Sequence, residues 1–215
     1  YLGFNANMLA NEMFLDSAVD RSNIVSIAKH LGYTPTSKRS ATAVVNMNLG
    51  NTTGISSGDY LSIGGVFSAS KDGSNYTFVN TSTATIDTSI DPTVSYHINN
   101  LEIKQGKLES YTYVKDSKQT DQKFIIPTPD VDTSTLTVRV QNSVTDDTGY
   151  GDNWQLSTAY NVIESTTKAY FLQEVENNKF EVYFGDDVVG KAPSDGNLII
   201  LNYLTTSGAT ANGIG

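Results

Sequence analysis

The sequence contains no cysteine. That removes disulfides, thiol nucleophiles and cysteine metal sites together. Histidine is nearly as scarce, with only His30 and His97, far apart. A zinc centre therefore lacks its usual ligands. No apolar run approaches the roughly 18 residues of a membrane-spanning helix, and no signal-peptide pattern is visible. Positive charge is also short. Lys and Arg number 14 against 23 Asp and Glu, for a net charge of −9. Such a chain repels phosphate backbones, and its longest cationic cluster is Lys38-Arg39. Neither nucleic-acid binding nor membrane insertion is expected. The chain opens on Tyr1 and closes on Gly-Ile-Gly, and it reads as a piece of a longer protein.

At 215 residues, one large or two small domains fit. A chain of this length can bury roughly 70% of its unfolded surface, so a core needs no covalent staple. The fold class read from the pattern is α+β, mainly β, with an N-terminal helical segment followed by antiparallel β-sandwich-like units. Residues 5–32 are the helical territory. Met8, Leu9, Phe14 and Leu15 keep a three-to-four spacing, and Ile24, Val25, Ile27, Ala28 and Leu31 form one apolar stripe. Ser22 suits an N-cap, Gly32 a C-terminal cap and Pro35 a stop. This stripe reads either as a layer packed on a sheet or as a contact with another subunit.

From Ser40 the period changes to two. Ala41, Ala43, Val45, Met47 and Leu49 alternate with polar residues. Asp72-Gly73 is a strong hairpin signal between residues 60–69 and 75–79. Gln105-Gly106 predicts another hairpin, joining 95–104 to 107–114. Turns at such spacing favour a sandwich or barrel over a parallel sheet. Pro127-Thr128-Pro129-Asp130 marks a boundary. It divides helices plus an antiparallel β domain, 1–126, from a smaller β domain, 127–215. In the second, Leu136, Val138 and Val140 define a half-buried strand. Residues 169–175 and 179–184 form a hairpin about Asn177-Asn178, since Asn tolerates the left-handed turn conformation. Leu198-Ile199-Ile200-Leu201 is apolar at every position and reads as a central strand buried on both faces.

Few groupings point to chemistry. Asp146, Asp147 and Asp152 sit near two glycines, but the alternate spacing and final glutamate of a calcium loop are missing. Asp186-Asp187 is a possible carboxylate pair, yet neighbours on a strand point to opposite faces. No Gly-x-Ser-x-Gly elbow and no phosphate loop occurs. The sequons at Asn51, Asn75 and Asn80 are what chance gives in so Asn- and Thr-rich a chain. Trp154 and the tyrosines suit core packing better than a sugar platform. No catalytic, metal or cofactor-binding residue and no small-molecule substrate is assigned.

The most specific pattern runs from Tyr170 to Asn212. A hairpin ends in Phe184-Gly185-Asp186-Asp187. Val189-Gly190, Pro193-x-x-Gly196-Asn197, an apolar strand reaching Tyr203, and Thr206-x-Gly208-x-x-x-Asn212 follow. This order resembles the baseplate J-like family of tailed phages, as found in wedge subunits of T-even-type contractile tails. Asp187 departs from it, since glycine is often found there. The opening run, Asn7 to Ala18, Arg21 to Val25 and Ala28 to Pro35, looks like the helical entry of the same family. The middle of the chain matches only in style. The resemblance implies a structural virion protein, assembled in host cytoplasm. It would associate with itself as a homodimer and with other wedge proteins, hold the baseplate ring and pass its change of shape to the sheath. Interface candidates are Met8, Phe14, Ile24, Ile27 and Leu31 on the helical stripe, and Asp186, Asp187 and Asn197 in the loop region. The alternative from the residues alone is a carbohydrate-binding β module on a tail or cell surface.

Overall fold

The computed structural model describes residues 17, 24, 36–49, 55–56, 58–88, 96–146, 151–158 and 163–213. Their strands, in order, are β1 Thr42–Asn48, β2 Tyr60–Leu61, β3 Val66–Lys71, β4 Ser74–Asn80, β5 Ala84–Thr85, β6 Asp87–Thr88, β7 Tyr96–Gln105, β8 Lys107–Val114, β9 Phe124–Ile125, β10 Val131–Gln141, β11 Asp152–Leu156, β12 Ala169–Val175, β13 Lys179–Phe184 and β14 Leu198–Thr205. The mainly β character is as the sequence predicts. Of the helical stripe, only Ile24 is described, half-buried in helical backbone. Met8, Phe14, Ile27 and Leu31 lie outside the described residues, as does His30.

Two compact units are interleaved along the chain. One contains Lys38–Ser110, Asp130–Leu136 and Asn202–Gly215; the other contains Tyr111–Pro129 and Thr137–Leu201. The change at Pro129/Asp130 falls in the proline-rich stretch, but the chain returns to the first unit at once.

The first unit is built on an antiparallel sheet of order β1-β7-β4-β3, with β6 also paired to β7. The alternation in β1 half-buries Ala43, Val45 and Met47 against Phe78, Ile98, Leu101 and Ile103. A bulge interrupts that pairing. Val45 faces Leu101 but Met47 faces Ile98, so β7 holds the extra residue. Asn100 takes it up in left-handed backbone, φ 54°, and its N–H donates to Asn46 Oδ1 at 2.9 Å. The β3–β4 hairpin turns on Asp72 (φ 52°) and Gly73 (φ 76°), as predicted. The second predicted hairpin does not form. Residues 107–114 leave for another sheet, because β7 already has β1 on one edge and β4 and β6 on the other. Gly106, at φ 142°, makes the departure.

The second unit carries a seven-stranded sheet of order β8-β14-β10-β11-β12-β13-β9. Residues 111–114, 198–201 and 137–141 are its shares of β8, β14 and β10. The β11–β12 pair is parallel, against the all-antiparallel expectation. About a dozen residues are needed for such a crossover, and 157–168 supply them. The sheet curls until its two edge strands meet. Tyr113 Oη of β8 donates to the Ile125 carbonyl of β9 at 2.6 Å, and its ring meets Phe124 edge-on at 5.4 Å. Closing the edges removes exposed ladder groups. Phe124 continues to Phe184 and Phe184 to Trp154, each edge-on. Ile126, Val182, Ile199 and Leu201 are fully buried. The run Leu198–Leu201 is thus interior, though Leu198 and Ile200 are only half-buried.

Asn177 and Asn178 turn the β12–β13 hairpin at φ 61° and 56°, within the three-residue link Glu176–Asn178. Asn177→Ala is expected to cost about 1 kcal/mol, the penalty of a Cβ in left-handed backbone, and Asn177→Gly close to nothing. Urea melts of the two variants check this. On β12, burial pushes the Tyr170 phenol up to about 12. The folded chain keeps it neutral while the unfolded chain ionises from about 10. Its contribution is therefore complete below the unfolded value and lost as pH rises through the folded one. Tyrosinate absorbance should show a late step at about 12 that is missing in Tyr170→Phe.

Candidate functional site

The resemblance-bearing stretch contains a loop that leaves β13 at Gly185 and re-enters at β14. Gly185 lies against Gly190 so closely that a Cβ there would sit 2.3 Å from the Gly190 carbonyl. Glycine is required because two backbones cross without room for a side chain. Asp186 Oδ1 accepts the N–H groups of Val188 (3.0 Å) and Val189 (2.9 Å), a local turn typical of Asp. Those amides, Val189 foremost, hold its carboxyl below the ordinary value.

Asp187 has φ 66°. That left-handed backbone is one that Gly, Asn and Asp accept more readily than other residues. Its N–H donates to Gly190 O, and its Oδ1 accepts Ala192 N–H, both at 2.9 Å. Asn197 closes the far end. Its Oδ1 accepts Ser194 N–H at 2.8 Å, its Nδ2 donates to Asn142 O at 3.0 Å, and its carbonyl accepts Lys115 N–H at 2.8 Å. Asp195 Oδ1 accepts Ser117 N–H at 2.7 Å, and that bond lowers its pKa. The three predicted loop residues are brought into one segment, but their polar groups fasten that segment. Val188, 73% exposed, is what the loop presents outward. Asp186 and Asp187 serve backbone amides of their own loop, while Asp195 and Asn197 tie it to the segments at Ser117 and Asn142.

The end of the same stretch is fixed separately, in the first unit. Thr206 Oγ1 donates to Gln105 Oε1 at 2.8 Å, and Ser207 N–H donates to the same oxygen at 3.0 Å. Gly208, at φ 69°, returns its N–H to Thr206 Oγ1. The Thr-x-Gly pattern is therefore a buried tie between the exit of β14 and the end of β7.

Sequence reasoning missed the neighbouring clasp. Asp132 is 2% exposed. Its Oδ2 accepts Ser40 N–H at 2.8 Å, and its Oδ1 accepts the N–H and hydroxyl of Ser134 at 3.0 and 2.6 Å. Burial opposes the charge, but the Ser134 and Ser40 bonds outweigh it, and the pKa is lowered. Asp-x-Ser is a recognisable local turn signal; the long reach to Ser40 leaves no mark in sequence.

Of the other candidates, Trp154 and Asn80 are buried, Tyr60 and Tyr111 are exposed, and some lie outside the described residues. Trp154 is 5% exposed, edge-on to Phe184 at 5.1 Å. Asn80 is fully buried and donates to the Ser62 and Ser82 carbonyls. Asp152 pairs with Lys168, while Asp147 lies outside the described residues. His97 stands in β7 opposite Asn48 and Asp87. Among the described residues, no group of three or more His, Asp or Glu is placed to hold a metal. No family model matches the chain, and no curated protein matches it.

Proposed function

We propose that this chain is a structural component of a phage tail baseplate, a wedge subunit of the baseplate J-like kind. It associates with itself and with other wedge proteins, helps hold the ring, and passes the ring's change of shape to the contractile sheath. Its place is the virion, after assembly in host cytoplasm. The supporting observation is the coincidence of the resemblance with bracing. The residues of the Tyr170 to Asn212 pattern, Gly185, Asp186, Asp187, Gly190, Asn197, Thr206 and Gly208, each have a fastening role in backbone geometry or hydrogen bonding. A part that transmits force needs rigid projections and satisfied loops. We assign it no catalysis.

A carbohydrate-binding module would want an exposed aromatic platform, and burial of Trp154 weighs against that residue as its centre. Gold-labelled antibody against the chain tests the proposal directly. Label at the distal end of contractile tails is the expected result. Label on cell envelopes, with bare tails, would overturn it.

A further inference from the structure

The first unit's sheet, of order β1-β7-β4-β3, ends on β3, and among the described residues no strand pairs with the outer side of β3. Its pairing with β4 runs in step from Val66 opposite Val79 to Lys71 opposite Ser74. Antiparallel partners alternate between bonded and non-bonded pairs, and two bonds fix which are which. Asn80 N–H donates to Gly65 O, so the odd-numbered residues of β3 turn their backbone groups toward β4. Thr77 O accepts Gly106 N–H on the other side of β4, which gives the same parity. The N–H and C=O groups of Val66, Ser68 and Ser70 therefore point away from the sheet.

Open edges are usually blunted by proline, by charge or by a bulge. The opposite edge, β1, is paired through a bulge, which increases local twist. The β3 strand has no proline and no break in register. Its exposed positions are Val66, at 71%, Ser68 and Ser70. Its one charge, Lys71, is half-buried at the strand end, with Nζ bonded to the Asn212 carbonyl. Two copies of a chain of net −9 repel each other, so an uncharged element is where they can meet. The strand is also complementary to itself. An antiparallel two-fold through Ser68 sets Ser68 opposite Ser68 and Val66 opposite Ser70 of the second copy, with roughly six ladder bonds. Lys71 and Asp72 then stand opposite Gly65 and Gly64 of the second copy, so no like charges face each other. Such a two-fold contact closes on itself at two chains.

We infer that two copies of this chain join edge to edge through β3, making one continuous sheet across a two-fold axis at Ser68. The inference rests on the self-association in the proposed function and names its surface; it does not rest on a place in the tail. The test is sedimentation velocity across a concentration series, with hydrogen exchange on the same samples. The amides of Val66, Ser68 and Ser70 should gain protection as concentration rises. Ser68→Lys sets two cations face to face and should weaken the dimer about tenfold. Ser68→Pro removes an outward N–H without touching the β4 ladder and should abolish the dimer, with circular dichroism showing both variants folded. Val44→Lys, on the exposed face of β1, is the control and should leave the dimer unchanged. A dimer that survives both Ser68 variants would overturn the β3 contact and leave self-association standing. Monomers at every concentration would overturn both. Protection of the three amides only when another wedge protein is added would overturn a second copy as the occupant.

Discussion

Replacing Gly106 by alanine lowers folding stability by about 4 kcal/mol, the sum of backbone strain and overpacking that such a site imposes. Two causes act at one atom. The backbone is at φ 142°, a conformation that side chains rarely adopt. An added Cβ would also lie 2.2 Å from the carbonyl oxygen of Thr205 and 2.9 Å from Leu204 Cγ. The carbonyl is backbone, and Leu204 is fully buried, so neither can yield cheaply. Gly106 N–H also donates to Thr77 O at 2.9 Å, which pins the residue from the other side. Chemical denaturation should show a lower midpoint for Gly106→Ala. Gly73→Ala is the control, because it shares a positive φ but meets no atom within 4 Å. Equal losses in the two would mean that the close approach to Thr205 does not matter.

Asp132→Ala is expected to cost about 3 kcal/mol. The substitution strands three donors, two of them backbone N–H groups, and hydrogen bonds to a charged group are worth roughly 1.5–3 kcal/mol each, before relaxation and water recover part of the loss. Asp132→Asn keeps the shape but loses the charge, so it should fall between Ala and the parent. The pH dependence has a definite sign. Asp132's folded pKa lies below its ordinary 3.8. Its contribution is therefore fully present above the unfolded value and is lost as pH falls through the folded one. The parent should lose stability on acidification through that window, and Asp132→Asn should lose less of it. Because Asp132 holds Ser40 N–H, hydrogen exchange at Ser40 should speed up in both variants. Protection unchanged there would refute the clasp.

Where local chemistry decides the backbone, the sequence could be read. Asp72-Gly73 and Asn177-Asn178 announced turns because few other residues accept positive φ. The alternation of Ala43, Val45 and Met47, and of Leu136, Val138 and Val140, announced the inward faces. Reading failed where partners are chosen at long range. Gln105-Gly106 has the look of a hairpin, but the occupied edges of β7 send the chain elsewhere. The parallel pairing of Gln155 with Ala169 has no local signature either. At Asp186 and Asp187 the sequence shows two adjacent carboxylates but not the loop amides they hold, and at Asn197 it does not show the tie to Asn142. Asp132 follows the proline-rich boundary in sequence, and only the fold reveals that it is buried. Gly185 shows the same limit: a glycine is visible in sequence, but the carbonyl it must pass is not.

If this chain is a self-associating structural part, its solution mass by light scattering depends on concentration. The expected mass rises from 23.2 kDa to that of a dimer or larger assembly as concentration increases. A mass that stays at 23.2 kDa at every concentration would contradict it.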